Sequence, residues 1–326
     1  MRKFTAAALV ATILMSASPA FAYKIYLSNE KGNDVTVLDG ESFEVIHTIK
    51  AGQRPRGIVV SPDGKKLYVC ASDDDTIEIY DTASYEKIGT LPSGPDPELM
   101  VASPDGTRMY VANEDDNLVT VINLEDGTRV VEIPVGVEPE GMGISPDGNT
   151  IVNTSETTSM AHFIDRESQA IVANVLVDSR PRFAQYKHDG SEIWVSAEIG
   201  GTVSVIDNAT KEITHKISFA VPGINAESIQ PVGVRITKDG TKAYVALGPS
   251  NRVAVVDTKT YEVTDYLLVG QRVWQLAFSP DDKHLFTTNG ISNDISIVDV
   301  ADDEVIKSVQ VGQQPWGVAV ADLPAE

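Results

Sequence analysis

Ser61-Pro62-Asp63-Gly64 returns as Ser103-Pro104-Asp105-Gly106 and again as Ser145-Pro146-Asp147-Gly148, at a spacing of 42 residues. Looser copies follow at Lys187-His188-Asp189-Gly190, Thr237-Lys238-Asp239-Gly240 and Ser279-Pro280-Asp281-Asp282, with one interval stretched to 50. Proline pre-sets φ for a type I turn, and glycine accepts the left-handed backbone that lets the chain re-enter a strand. Each copy therefore reads as a hairpin connection. A second marker runs in the same phase: Asp39, Asp81, Asn123, Asp165, Asp207, Asp257 and Asp299, each closing a short alternating segment. A third is aromatic, with Tyr26, Tyr68, Tyr110, Trp194, Tyr244 and Phe286 in register and Val152 in the remaining slot. Repeats of about 40 residues are the signature of arrays built from one supersecondary unit.

Within a unit, four β runs are legible: Gly57 to Val60, Leu67 to Ala71, Thr76 to Tyr80 and Lys87 to Leu91. No stretch sustains a 3.6-residue period. Four short strands per unit predict an all-β fold, a seven-bladed β-propeller with four antiparallel strands in each blade. The ends predict how it closes. Trp316 to Val320 matches only a first strand, Lys24 to Asp39 a second and third, and Val45 to Ile49 a fourth. The two termini should share one blade, which leaves no open sheet edge.

Residues 1–22 begin Met1-Arg2-Lys3, run apolar from Phe4 to Met15 and end Ala20-Phe21-Ala22. This reads as a cleavable signal peptide and predicts export to the periplasm, with residues 23–326 forming the propeller. The apolar run is shorter than the ~20 residues a membrane helix needs, and no membrane insertion is expected. The full chain carries a formal net charge of −21. Losing Arg2 and Lys3 leaves 24 basic against 47 acidic residues, about −23. That sign disfavours nucleic acid and favours a basic partner. One cysteine, Cys70 in an apolar run, rules out an internal disulfide framework.

The chain resembles the YVTN-type β-propellers on Tyr110-Val111-Ala112-Asn113, Phe286-Thr287-Thr288-Asn289 and Tyr26-Leu27-Ser28-Asn29. Within that class it is most similar to the periplasmic propellers associated with PQQ-dependent alcohol catabolism. That resemblance implies a periplasmic protein partner such as a quinoprotein dehydrogenase, a cytochrome c or an ABC transporter component. It implies an association with PQQ, but no cofactor-binding motif is present and no bound cofactor is expected. With seven blades, three tryptophans and one cysteine, the chain departs from the eight-bladed dehydrogenases themselves.

The loops joining one blade's outer strand to the next blade's inner strand should ring one mouth of the channel. One ring position carries Arg54, Asp96, Glu138, Arg180, Gln230, Arg272 and Gln314, and the next carries Arg56, Glu98, Glu140, Arg182, Val232, Trp274 and Trp316. Arg54, Arg56, Arg180, Arg182, Arg272, Trp274, Trp316, Glu98 and Glu140 are thus the candidate rim for a ligand or partner. Arginine suits carboxylates and tryptophan offers apolar and cation–π contact, so a small anionic ligand is one expectation. Mutual neutralisation of arginines and acids across blades is the other. Asp73-Asp74-Asp75, Glu114-Asp115-Asp116 and Glu156 should reach the same face as a solvated acidic border. The five histidines cannot converge on one metal, and no nucleophile elbow or metal motif appears. No catalytic residue and no metal ligand is therefore assigned, and the expectation is a non-catalytic binding or scaffold propeller. The alternative is a metal-assisted lactonase or hydrolase working through rim carboxylates.

Overall fold

The computed structural model describes residues 23–322. Seven four-stranded antiparallel sheets stand around one axis. The first whole blade comprises Pro55–Val60, Lys66–Ala71, Thr76–Asp81 and Lys87–Pro92, running from the axis outward. The blade that closes the ring combines Pro315–Asp322 with Tyr23–Asn29, Asp34–Asp39 and Val45–Lys50. Its terminal strands pair antiparallel, with Ile25 opposite Val320 and Leu27 opposite Val318. The all-β seven-bladed propeller and its shared blade are as expected. The signal peptide lies outside the described residues. Among the described residues no helix is long and apolar enough to cross a membrane.

The repeat markers have local jobs. In the turn at Ser61, the Ser61 hydroxyl donates to Asp63 Oδ1 at 2.5 Å and accepts from the Lys66 amide at 2.9 Å. Asp39 and its equivalents accept amides two and three residues on, as Ser42 N to Asp39 Oδ1 at 2.8 Å shows. Both are short side-chain-to-backbone closures of a type these residues favour in turns.

The core lies between blades rather than within one. Tyr68, Cys70 and Ile77 of one blade pack against Met100, Met109 and Val111 of the next. Each such side chain stabilises the fold by about 1.5–3 kcal/mol. Outer strands face solvent, and Val45–Lys50 buries one residue of its six. Near the axis the backbones themselves touch. A Cβ on Gly57 would sit 2.2 Å from the Glu98 carbonyl oxygen, and one on Gly317 would sit 2.5 Å from that of Arg56.

The eight extra residues fall before the fifth whole blade, whose inner strand shortens to Val234–Ile236. The insertion carries a single 3-10 turn at Ala226–Ser228. It buries Phe219, Val221 and Ile229 in the seam between the fourth and fifth blades.

Candidate charged mouth

The ring loops owe their shape to a repeated backbone device. Arg54, Asp96, Glu138, Arg180, Arg272 and Gln314 all have left-handed backbone, with φ between 49° and 60°. Non-glycine residues adopt this at a cost of about 1–2 kcal/mol, so something must hold them. Side chains from the hairpin between second and third strands do so. Asn33 Oδ1 accepts the Arg54 amide at 3.0 Å, Asn117 the Glu138 amide at 3.0 Å and Asn251 the Arg272 amide at 2.9 Å. Gln230, which follows the insertion, is the ring member outside this set.

The next ring position is stitched across blades. Ser28 Oγ donates to the Arg56 carbonyl at 2.6 Å, Ser196 Oγ to that of Val232 at 2.6 Å, and Thr288 Oγ1 to that of Trp316 at 2.7 Å. Cys70 occupies the same slot in its own blade. It is buried, and burial pushes its thiol well up, with the Glu98 charge adding to it.

These loops bring the sequence-predicted residues into one network. Arg54 pairs with Asp73 at 2.7 Å, with Asp96, and with Glu98 at 3.3 Å. Arg56 pairs with Glu98 at 2.6 Å and Glu30 at 3.2 Å. Arg180 reaches Glu156 at 2.8 Å and Glu198 at 3.2 Å. Arg182 is buried among Glu140 at 3.2 Å, Glu156, and Glu198 at 3.7 Å. Arg272 pairs with Glu198 at 2.8 Å, donates to Gln230 Oε1 at 3.0 Å, and lies 4.2 Å over the Trp274 ring. Arg56 lies 5.4 Å over Trp316, which is 1% exposed.

Every rim arginine is therefore already engaged by carboxylates. Mutual pairing leaves few guanidinium donors for an incoming anion at this mouth. The excess is of negative charge: five arginines face nine acids, namely Glu30, Asp73, Asp96, Glu98, Glu114, Glu138, Glu140, Glu156 and Glu198. The acids register that excess. Burial first, and then the adjoining Glu98 carboxylate, push Glu114 up to about 7. Burial holds Glu140 well above the usual carboxylate range despite Arg182, because Glu98 and Glu156 oppose its ionisation. Among the described residues neither Glu140 oxygen has a hydrogen-bond partner; Arg182 lies at ion-pair distance but off the hydrogen-bond line. Glu156 is raised by the same burial.

Carboxylate oxygens of Asp96, Glu98 and Glu114 lie within 4.8 Å of one another, and so do those of Glu114, Glu138 and Glu156. Oxygen clusters of this kind can take a hard cation or a basic side chain. The solvated border expected at Glu114 and Glu156 is corrected here. Glu156 is 4% exposed, and the Arg180 and Arg182 guanidinium groups offset part of its desolvation, while Glu114 is half-buried beside Glu98. Sequence reasoning missed Glu30 and Glu198. Their signal was available, since residues 30, 114, 156 and 198 are glutamates in one slot of the repeat.

A family model for YNCE-like beta-propellers matches residues 5–325. The chain belongs to the YNCE-like beta-propeller family. No curated protein matches this family member in sequence. Among solved structures it is similar to the hydrazine synthase of Kuenenia stuttgartiensis. That match has 24% identity and a TM-score of 0.77, over 85% of this chain and 92% of that one. A candidate 6-phosphogluconolactonase of Bacteroides fragilis matches at 18% identity and TM-score 0.79, over 94% and 99%. The dihydro-heme d1 dehydrogenase NirN matches at 17% identity and TM-score 0.68, over 95% and 77%. At these identities the likeness is one of fold.

Proposed function

We propose that this YNCE-like propeller is an exported, non-catalytic binding protein whose charged mouth docks a basic partner. The observation that carries the reading is the imbalance in the mouth, where nine carboxylates face five arginines and Glu114 titrates near 7. A basic surface would relieve that imbalance and gain charge-assisted hydrogen bonds to the outermost acids. The resemblance to periplasmic propellers of PQQ-dependent alcohol catabolism supplies the partner class: a cytochrome c, a quinoprotein dehydrogenase or a transporter component. The anionic ligand expected at this rim is the weaker alternative, because the arginines are already paired.

The test is retention of a host c-type cytochrome or quinoprotein dehydrogenase by the tagged protein from periplasmic extract. Asp73→Asn with Glu138→Gln, substitutions at the outer border, should abolish retention, and raising salt from ~20 to ~200 mM should do the same to wild type. Retention that ignores both changes, or no retention of either enzyme class, would reject docking through the mouth.

A metal-assisted hydrolase is the second reading, favoured by the Asp96, Glu98 and Glu114 oxygens and by the fold likeness to the candidate lactonase. It requires a lactone-hydrolysing activity that disappears with a chelator and with Glu98→Gln.

A further inference from the structure

Below the charged mouth, all seven inner strands enclose a cavity of about 300 Å³ on the channel axis. It continues toward the opposite face as a wider opening of about 520 Å³, with His188, Lys238 and Asp282 at its lip. Arg235 and Gln185 line both spaces and so stand where the two meet.

Arg235 differs from every arginine of the mouth. Among the described residues, no carboxylate lies within ion-pair distance of it. One guanidinium nitrogen donates to the Val234 carbonyl at 2.9 Å and reaches Gln185 Oε1 at 3.5 Å. The group lies 4.6 Å over the Phe183 ring. A guanidinium has five N–H donors; Arg235 is half-buried and lines both spaces, so the donors not used in these two contacts are open to the channel. Burial alone pulls its pKa down to about 10, which leaves it charged at neutral pH.

A second, independent feature points the same way. Gln275, on the adjoining inner strand, is 3% exposed and lines the same cavity. Among the described residues neither its amide oxygen nor its amide nitrogen has a hydrogen-bond partner. Buried polar groups are normally satisfied, and an orphaned amide beside an unanswered cation marks missing partners.

We propose that this cavity binds a small organic carboxylate, with Arg235 holding the carboxylate and Gln275 a second polar group of the same acid. The planar fork of arginine matches a carboxylate in two parallel hydrogen bonds. Ile58, Met100 and Met142 supply an apolar stretch of the wall, which suits a short aliphatic chain better than the further charged oxygens of a phosphate. Entry is from the face opposite the mouth, where the wider opening lies. The proposal is independent of docking at the mouth, and either can fail alone.

Calorimetric titration of the mature protein with acetate, butyrate and inorganic phosphate, in chloride-poor buffer, tests it. Butyrate should bind saturably at one site per chain and more tightly than phosphate. Arg235→Gln should weaken butyrate by about tenfold or more. Arg235→Lys, which keeps the charge but loses the fork, should also weaken it, and Gln275→Leu should weaken a hydroxy acid such as lactate more than butyrate. Thermal unfolding of each variant checks that the propeller is intact. Absence of saturable binding, equal affinity for phosphate, or butyrate affinity unchanged in a folded Arg235→Gln variant overturns the proposal.

Discussion

The two ends of the channel treat the same side chain in opposite ways. At the mouth, Arg182 is buried among three carboxylates, and its four mouth neighbours are each paired with at least one. Along the channel, Arg235 has an aromatic ring, a carbonyl and a distant amide oxygen, and no acid. A charge withdrawn from water is costly, and the protein offsets that cost with carboxylates at the mouth, whereas half-buried Arg235 has none within ion-pair distance among the described residues. The mouth is thus a closed ionic lattice with surplus negative charge, and the channel holds an unanswered positive one. The difference teaches that charge type on a propeller axis says little until its partners are known.

Removing the central cation should break the lattice most severely. Arg182→Met would leave Glu140 without a guanidinium and take one from Glu156 and Glu198, which keep Arg180 and, for Glu198, Arg272. We expect a loss of about 3–5 kcal/mol in denaturant unfolding at pH 7.5. These carboxylates would then titrate higher in the folded than in the unfolded chain. Stability would be regained as pH falls toward 5, where they bind protons. A loss that does not depend on pH would mean that packing, not charge, is what Arg182 supplies.

The surplus negative charge is probed by Glu114→Gln. Because Glu114 titrates near 7 when folded and near 4.3 unfolded, the folded state binds the extra proton. Wild-type stability contributed by this group is present below the unfolded value and lost as pH rises toward 7. The variant should be more stable than wild type at pH 8 by about 1–2 kcal/mol once solvent screening is allowed for. It should match wild type near pH 4. Equal stability at both pH values would show that Glu114 is not under electrostatic stress.

The smallest effect sharpens the other side of the comparison. Arg235→Gln should stabilise the ligand-free protein slightly, by about 0.5–1 kcal/mol, since it removes a charge with no internal partner. The sign is opposite to that of Arg182→Met. If both arginine substitutions destabilise alike, the contrast between the two ends does not hold.

Much of this architecture was legible in the chain. The 42-residue spacing, the Ser61-type turns and the divided terminal blade follow from short-range chemistry that repeats, and the strands fall within a residue or two of their expected bounds. Ring membership of Arg54, Arg56, Arg180, Arg182, Arg272, Trp274 and Trp316 was readable from phase alone. What those residues do was not. Arg54 meets Glu98 across 44 positions, and Arg272 meets Glu198 across 74. Such pairings depend on which blades adjoin and on how far each side chain leans across the axis.

The sequence by itself determined the number of blades, their four-strand make-up and the closure between termini. Each of those rests on local turns and alternation, which every repeat states again. That the mouth's arginines are matched by acids, and that Arg235 and Gln275 share a channel with no carboxylate paired to Arg235 among the described residues, emerged only with the tertiary structure. Charge compensation and desolvation are properties of the space between blades. That space exists only once the ring has closed.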